Sequence, residues 1–390
     1  MVCRPNNTIC YFGDSITGLI GPYRQKTDSS YQSKGFIDWA QNLSGQRLQS
    51  LLPVGVPGQR SDEALARIVG DVIAQQPGYC HVLIGTNDSG VLSLEQTKAN
   101  LTAIWTTLSN AGIVVLAGTI PPRNVYADTP TKAARYALNQ WIRDQGRKLG
   151  IVVVDHAAVL DIPQWGASAG WNNQSINTAD GIHPTTIAAA LMGQALAQAI
   201  NFLVPPNPPL TTSETDGVNF LQYNRFVGGG SGSVPTGWTA NSFGTAPTYS
   251  KTARTDNVPG SWQTIAVANG EYAGYLTSTS SSVDGSAVAV GDQIVGTLEY
   301  SLSNLGVAET TQRFYIAVRF WNGSVWSYVY DLQSVDNHPA WSRSGVARTP
   351  PATVPAGTQL IQLAIYLLGG GTYNLDRASL VNISKWGIAA

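Results

Sequence analysis

Thr8-Ile9-Cys10-Tyr11-Phe12-Gly13-Asp14-Ser15-Ile16-Thr17 decides the fold. Residues 8–12 form an apolar run of strand length, and Gly13-Asp14 then breaks it and delivers the Ser15 hydroxyl at the strand's carboxyl end. Open α/β sheets place their chemistry at that edge. Far downstream, Asp180-Gly181-Ile182-His183-Pro184 sets a histidine three residues after an aspartate. That spacing lets a carboxylate hold one imidazole nitrogen while the other faces a serine, the help a weak alcohol needs to become a nucleophile.

Outward from residue 15 the text alternates. Strands are predicted over residues 8–12, 47–52, 80–84, 113–118 and 151–155. Helical patterns fall between and after them, over 34–43, 61–75, 94–110, 131–150 and 185–202. Ser61 followed by Asp62 and Glu63 starts one helix with negative charge in its first turn. Alternation of this kind predicts a parallel sheet covered on both faces, here a flavodoxin-like, doubly wound α/β domain of five strands spanning residues 1–203. Val204-Pro205-Pro206-Asn207-Pro208-Pro209 supports neither helix nor central strand, so residues 204–210 read as a linker. Over 211–390 the helical period vanishes. Short alternating runs such as 312–322, 325–332 and 359–368, separated by Gly, Pro, Asn and Ser, predict an all-β sandwich or jelly roll.

Composition narrows the function classes. A chain of 390 residues is long for one core, and 43% hydrophobic content supports two. Only 12% of residues are charged, the net charge is −1, and no Lys/Arg run occurs, so the electrostatic footprint of a nucleic-acid or anionic-membrane partner is missing. Cys3, Cys10 and Cys80 are too few and too irregular for a disulfide framework; Cys10 and Cys80 fall in predicted strands and read as buried thiols. The first ten residues do not resemble a signal peptide, and no window approaches the roughly 20 apolar residues of a membrane span. Synthesis and folding in a cytoplasm are the expectation.

Two more segments belong at the Ser15 edge. Val54-Gly55-Val56-Pro57-Gly58-Gln59-Arg60 follows the second strand and Gly85-Thr86-Asn87-Asp88 the third. Attack on an ester carbonyl makes an oxyanion that needs aimed donors. Glycine lets a backbone N–H approach closely, and an asparagine amide is a directed donor, so Gly58, Asn87 and the Ser15 N–H fit that role. Asp14 and Asp88 read as loop braces. His81 lies within a strand pattern, His156 ends the fifth strand and His338 falls in the second domain. No metal-ligand spacing is present in the catalytic region, and no cofactor is expected.

Taken together, Gly13-Asp14-Ser15, Gly55-Val56-Pro57-Gly58, Gly85-Thr86-Asn87-Asp88 and Asp180 to Pro184, in this order, resemble the SGNH, or GDSL-type, hydrolase family over residues 8–203. The resemblance implies Ser15 as nucleophile, His183 as general base, Asp180 as orienting acid, and Gly58 and Asn87 as oxyanion donors. In the second domain, residues 219–238 and 373–380 look like the opening and closing strands of a carbohydrate-binding jelly roll. Such modules often hold a structural calcium through an acid in the opening strand. Val227 stands at that place here, which puts the ion in doubt despite Asp376. Trp321, Trp326, Tyr328, Tyr330 and Trp341 form a dense aromatic group, and aromatic faces stack on sugar rings. Alternate members of such a group also serve as core.

The resulting expectation is a serine esterase removing acyl groups, acetyl foremost, from a polysaccharide, with a sandwich that holds the glycan or docks the enzyme. A lipid esterase or thioesterase on the same residues, and a glycan-binding adhesin with an idle hydrolase domain, are the alternatives. The pairing of domains without a signal sequence suggests a phage tail or similar particle component, as a homo-oligomer or with a particle partner. Acceptor selection is expected from the loops at 121–130 and 164–178.

Overall fold

The structure, a computed structural model, describes residues 6–18, 35–51, 53–122, 129–160, 180–205, 219–226, 232, 234–241, 245–268, 274–278, 280–305, 313–331 and 341–386. Cys3, Val227, His338, the 164–178 loop and most of the 121–130 loop lie outside the described residues. Contacts divide the chain into two compact units, residues 1–206 and 207–390.

The first unit runs β1 (Thr8–Gly13), α1 (Ser15–Gly18), α2 (Phe36–Leu43), β2 (Gln49–Ser50), β3 (Val54–Gly55), α3 (Ser61–Asp71), β4 (Tyr79–Leu83), α4 (Leu94–Asn110), β5 (Val114–Gly118), α5 (Thr129–Leu149), β6 (Val152–Val154), α6 (His156–Leu160) and α7 (Thr186–Leu203). The sheet is parallel, in the order β2-β1-β4-β5-β6, with β3 also paired to β1. Of the strand predicted over 47–52 only Gln49–Ser50 forms β2, and the segment read as the following loop starts with a second short strand, β3, also paired to β1. Ile9 to Phe12 have no exposed surface, as expected of a strand covered on both faces. Strand order reverses at β1: β2 lies on one side and β4 on the other. A crevice forms at such a point, and Ser15 follows directly from it.

Close backbone approach explains the glycines at this edge. A Cβ on Gly13 would lie 2.2 Å from the Leu83 carbonyl oxygen, and one on Gly55 would lie 2.2 Å from the Gly18 nitrogen. The turn that carries Ser15 and the glycine loop thus touch main chain to main chain. α7 corrects one expectation: it carries no charged residue and, with a mean hydropathy of 1.4 over 18 residues, meets the length and composition of a membrane span. It serves here as a core helix, with Leu196, Met192 and Ile200 buried and Gly193 so close to α2 that a Cβ would lie 2.4 Å from that of Trp39.

The second unit is all β. Its strands are β7 (Trp238–Asn241), β8 (Thr248–Ala253), β9 (Ser261–Val267), β10 (Gly274–Ser278), β11 (Ser281–Ser282), β12 (Gln293–Ser303), β13 (Arg313–Trp321), β14 (Trp326–Tyr330), β15 (Arg343–Arg348), β16 (Ala352–Thr353), β17 (Leu360–Leu368) and β18 (Gly371–Asn382). They form two antiparallel sheets, β14-β13-β17-β10-β7 with β11 on β17, and β15-β12-β18-β9-β8 with β16 on β12. Alternate residues, among them Phe314, Ile316, Val318 and Phe320 of β13 and Leu298, Tyr300 and Leu302 of β12, meet in one buried cluster. That is the sandwich the alternating runs predict.

Its opening segment departs from expectation. Residues 219–226 make a single bridge, Asn219 to Val381, and then turn, with Tyr223 and Phe226 at φ of 55° and 54°. The reason is the Asn219 side chain, which donates to the Ala378 carbonyl at 3.0 Å and accepts from the Leu380 N–H at 2.9 Å. A side-chain amide occupies the place of a strand ladder.

The turn brings Arg225 to Asp376, the buried acid of the closing strand. Arg225 Nε and Nη2 donate to its two oxygens at 2.9 Å each, and Arg254 adds a bond at 2.8 Å. Arg254 and Arg377 both grip Glu299, at 2.7 and 3.0 Å and at 2.7 and 2.6 Å. Burial alone would raise Glu299; Arg377 and Arg254 more than reverse this and hold its carboxyl below the usual range. Calcium needs six to eight oxygen ligands, whereas both Asp376 oxygens here face guanidinium groups. The donor set does not suit a structural calcium at this place.

Candidate active site

β1 ends on Gly13, Asp14 turns the chain, and Ser15 becomes the first residue of α1. Asp14 stays out of the reacting geometry, as a brace should: its Oδ1 accepts the Ile16 N–H at 2.9 Å, and its carbonyl accepts the Thr17 and Gly18 N–H groups at 3.1 and 2.9 Å. Ser15 Oγ lies 2.9 Å from His183 Nε2, and His183 Nδ1 lies 2.6 Å from Asp180 Oδ2. The other Asp180 oxygen accepts the Ile182 and His183 N–H groups at 2.9 and 2.8 Å, a tight loop that Gly181 allows with φ of 84°. Pro184 is buried, and Thr185 caps α7 by accepting the Ala188 N–H at 3.3 Å. The imidazole is thus fixed by a carboxylate on one side and by the entry to a core helix on the other. The arrangement can pass a proton from the Ser15 hydroxyl to His183 while Asp180 holds the ring's orientation.

Gly58 sits at the tip of the glycine loop with φ of 75°, exposed, and its N–H makes no hydrogen bond among the described residues. Asn87 Nδ2 donates to the Gln59 carbonyl at 3.1 Å. An amide carries two N–H bonds, so this contact orients Asn87 and leaves a second donor. Asp88 is buried, with Oδ1 accepting the Ser61 N–H and Oδ2 the Thr97 hydroxyl, each at 2.8 Å, and it also bonds the Ser61 hydroxyl. It ties the Asn87 loop to the starts of α3 and α4. A cavity of about 220 Å³ opens beside that loop, lined by Gly85, Asp88, Leu92, Ile120, Arg135 and Leu138.

His81 of β4 and His156 of α6 are fully buried and face each other, Nε2 to Nε2, at 3.0 Å. Burial, with His156 adding to it, pushes His81 well below its ordinary value. Burial, partly offset by Asp155, pushes His156 down to about 3. Both imidazoles are neutral. Cys10 and Cys80 are buried free thiols at matching positions of β1 and β4, and burial raises the Cys80 thiol well above the usual range.

In the second unit, Trp321, Trp326, Tyr328 and Tyr330 share one face. β13 sends Phe314, Ile316, Val318 and Phe320 into the core, so Tyr315, Arg319 and Trp321 project from the opposite side of the sheet. Register carries the same face onto β14, where Trp326 lies opposite Trp321 and Tyr328 opposite Arg319. Trp341 stands apart from this grouping, since it lies two residues before β15 of the other sheet. Three members escaped the aromatic cluster read from sequence. Tyr315 stacks on Tyr366 of β17 at 4.5 Å, and Tyr366 lies 6.1 Å from Tyr330. Arg319 covers the Trp326 ring at 4.0 Å and bonds Gln362. Alternation within the predicted runs 312–322 and 359–368 is the signal that could have found them.

Residues 11–191 match the model of the GDSL-like Lipase/Acylhydrolase family. No curated protein matches the chain. Among solved structures, a lipase/acylhydrolase from Enterococcus faecalis shares 19% identity over 52% of this chain and 99% of that chain, with a TM-score of 0.40. A GDSL-like lipase from Bacteroides thetaiotaomicron shares 21% over 51% and 89%, with a TM-score of 0.39. A variant of an acetyl-xylooligosaccharide esterase from Geobacillus Stearmophilus shares 17% over 53% and 98%, with a TM-score of 0.42.

Proposed function

We propose that residues 11–191, a GDSL-like acylhydrolase domain, act as a serine esterase that removes small acyl groups, acetyl foremost, from a polysaccharide held by the second unit. The observation that carries the esterase reading is the unbroken chain from Ser15 Oγ through His183 to Asp180, at 2.9 and 2.6 Å. His183 takes the Ser15 proton as Oγ attacks the acyl carbonyl. Negative charge on the carbonyl oxygen rests against the Ser15 and Gly58 N–H groups and the Asn87 amide. His183 then gives the proton to the sugar oxygen as its bond to the acyl carbon breaks, so the sugar leaves with a free hydroxyl and an acyl-serine remains. Water, deprotonated by His183, repeats the attack and releases the carboxylic acid with Ser15 restored.

The sugar-polymer half of the reading rests on the outward strip of Trp321, Trp326, Tyr328, Tyr330, Tyr315 and Tyr366, with Arg319 and Gln362 set among the rings. Flat rings flanked by hydrogen-bonding groups suit the apolar faces and hydroxyls of sugars. Acetate release across a panel of acetylated polysaccharides tests the proposal. Ser15→Ala should abolish release without altering the fold; retained release would overturn the assignment. The cavity lined by Leu92, Ile120 and Leu138 supports a second reading, an esterase or thioesterase for longer acyl chains. Faster turnover of medium-chain than of acetyl esters would favour it.

A further inference from the structure

The geometry points to Arg67 of α3 as a positioning residue that holds all three oxyanion donors in register, an inference that rests on the esterase reading above. Arg67 and Asp71 form an ordinary helical i,i+4 pair at 2.6 Å. Pairing on a helix surface accounts for one N–H only. The other donors of the guanidinium leave the helix: Nη2 donates to the Gly13 carbonyl at 3.0 Å, Nη1 to the Val54 carbonyl at 2.8 Å, and Nε to the Gln59 side-chain oxygen at 2.6 Å. The guanidinium also lies 4.3 Å from the centroid of the Phe12 ring, and its side chain is 16% exposed.

These acceptors are not arbitrary main chain. Gly13 ends β1 two residues before Ser15, and its carbonyl also accepts the Val56 N–H at 3.0 Å. Val54 opens the glycine loop. Gln59 follows Gly58 and is fixed at both ends, its side chain by Arg67 and its carbonyl by the Asn87 amide at 3.1 Å. One planar fork therefore spans the turn before the Ser15 N–H, the loop of the Gly58 N–H and, through Gln59, the Asn87 amide. Arg67 touches no reacting atom. An oxyanion hole acts through donors fixed before the charge develops, so loosening their common anchor should slow the step in which that charge forms while leaving ground-state binding alone.

A kinetic cycle on the full chain tests this, using Arg67→Met, Gln59→Met and the double variant with an acetyl ester. Arg67→Met should lower kcat by about 10- to 100-fold with KM within about twofold, since a misplacement of about 1 Å can cost that much. Gln59→Met should lower kcat by less, and the double variant should be no slower than Arg67→Met alone, because both substitutions break the same link. Arg67→Lys keeps the charge without the fork and should not restore kcat. An unchanged kcat in folded Arg67→Met, a rise in KM at constant kcat, full rescue by lysine, or multiplicative losses in the double variant would overturn the inference. If Arg67→Met does not fold, Gln59→Met decides: a lowered kcat supports the link and an unchanged one overturns it. Ser15→Ala in parallel separates the two readings, because activity surviving there removes the esterase reading itself.

Discussion

At the scale of single residues, the site depends on which groups are held, and the core on which are kept neutral. Asp180 acts on His183 through one oxygen and on the loop through the other, so Asp180→Asn should preserve the turn while presenting the wrong group to Nδ1. An expected fall in kcat of about 10²- to 10⁴-fold, at little change in melting temperature, can be checked by steady-state kinetics with circular dichroism. His81 and His156 give a second expectation. An unfolded histidine takes its proton near pH 6.5, whereas the buried His156 resists down to about 3. Stability is therefore complete above about pH 6.5 and declines as pH falls below it, by about 1.4 kcal/mol per pH unit for each such histidine. Melting curves between pH 7 and 4 should show that slope, and replacing both residues by glutamine should flatten it. Ser15, Asp180 and His183 were legible because each stands in a short local pattern with a chemical purpose. The facing of His81 and His156 was not, since it joins β4 to α6 across 75 positions with no local mark.

At the scale of elements, the parallel strands and long helices followed from period and punctuation. The predicted helix over 94–110 matches Leu94–Asn110, where the Ser93 hydroxyl accepts the Gln96 N–H at 3.2 Å and the Gln96 side-chain oxygen accepts the Ser93 N–H at 2.8 Å. Shorter pieces escaped: α1 and α6 are too brief to show a period, the predicted strand 47–52 is reduced to β2, and β3 lies in the segment read as a loop. β3 places Gly55 against Gly18, where a single added carbon has nowhere to go. Gly55→Ala would put Cβ 2.2 Å from the Gly18 nitrogen and 2.6 Å from the Asp14 carbonyl. Overpacking of this kind costs about 1–3 kcal/mol. The expected outcome is a lowered melting temperature together with slower labelling of Ser15 by a phosphonate, because the displaced backbone carries Ser15. Normal labelling in a folded Gly55→Ala protein would show that the contact does not govern the turn.

At the scale of the whole molecule, each unit stands on its own core, and in the second the carboxylates of Asp376 and Glu299 are held by arginines. Its strands were legible from alternation, but their pairing was not: β13 lies against β17, some forty residues on, and nothing local announces it. Chelator should leave the unfolding of this unit unchanged, and added calcium should not raise its melting temperature; a rise would contradict the guanidinium network. Arg254→Met would leave Asp376 to Arg225 and Glu299 to Arg377, and the lost charge-assisted bonds should lower the melting temperature of this unit. The separation of Ser15 from His183 by 168 positions has a consequence of another kind. Ser15 follows the opening strand and His183 sits on the approach to the last helix of the unit, so on the proposed mechanism a chain emerging from a ribosome carries an inert alcohol until α7 has docked. Enzymatic competence would then serve as a clock for folding: during refolding, regained turnover should lag the return of sheet signal and coincide with the closing of that last helix against α2.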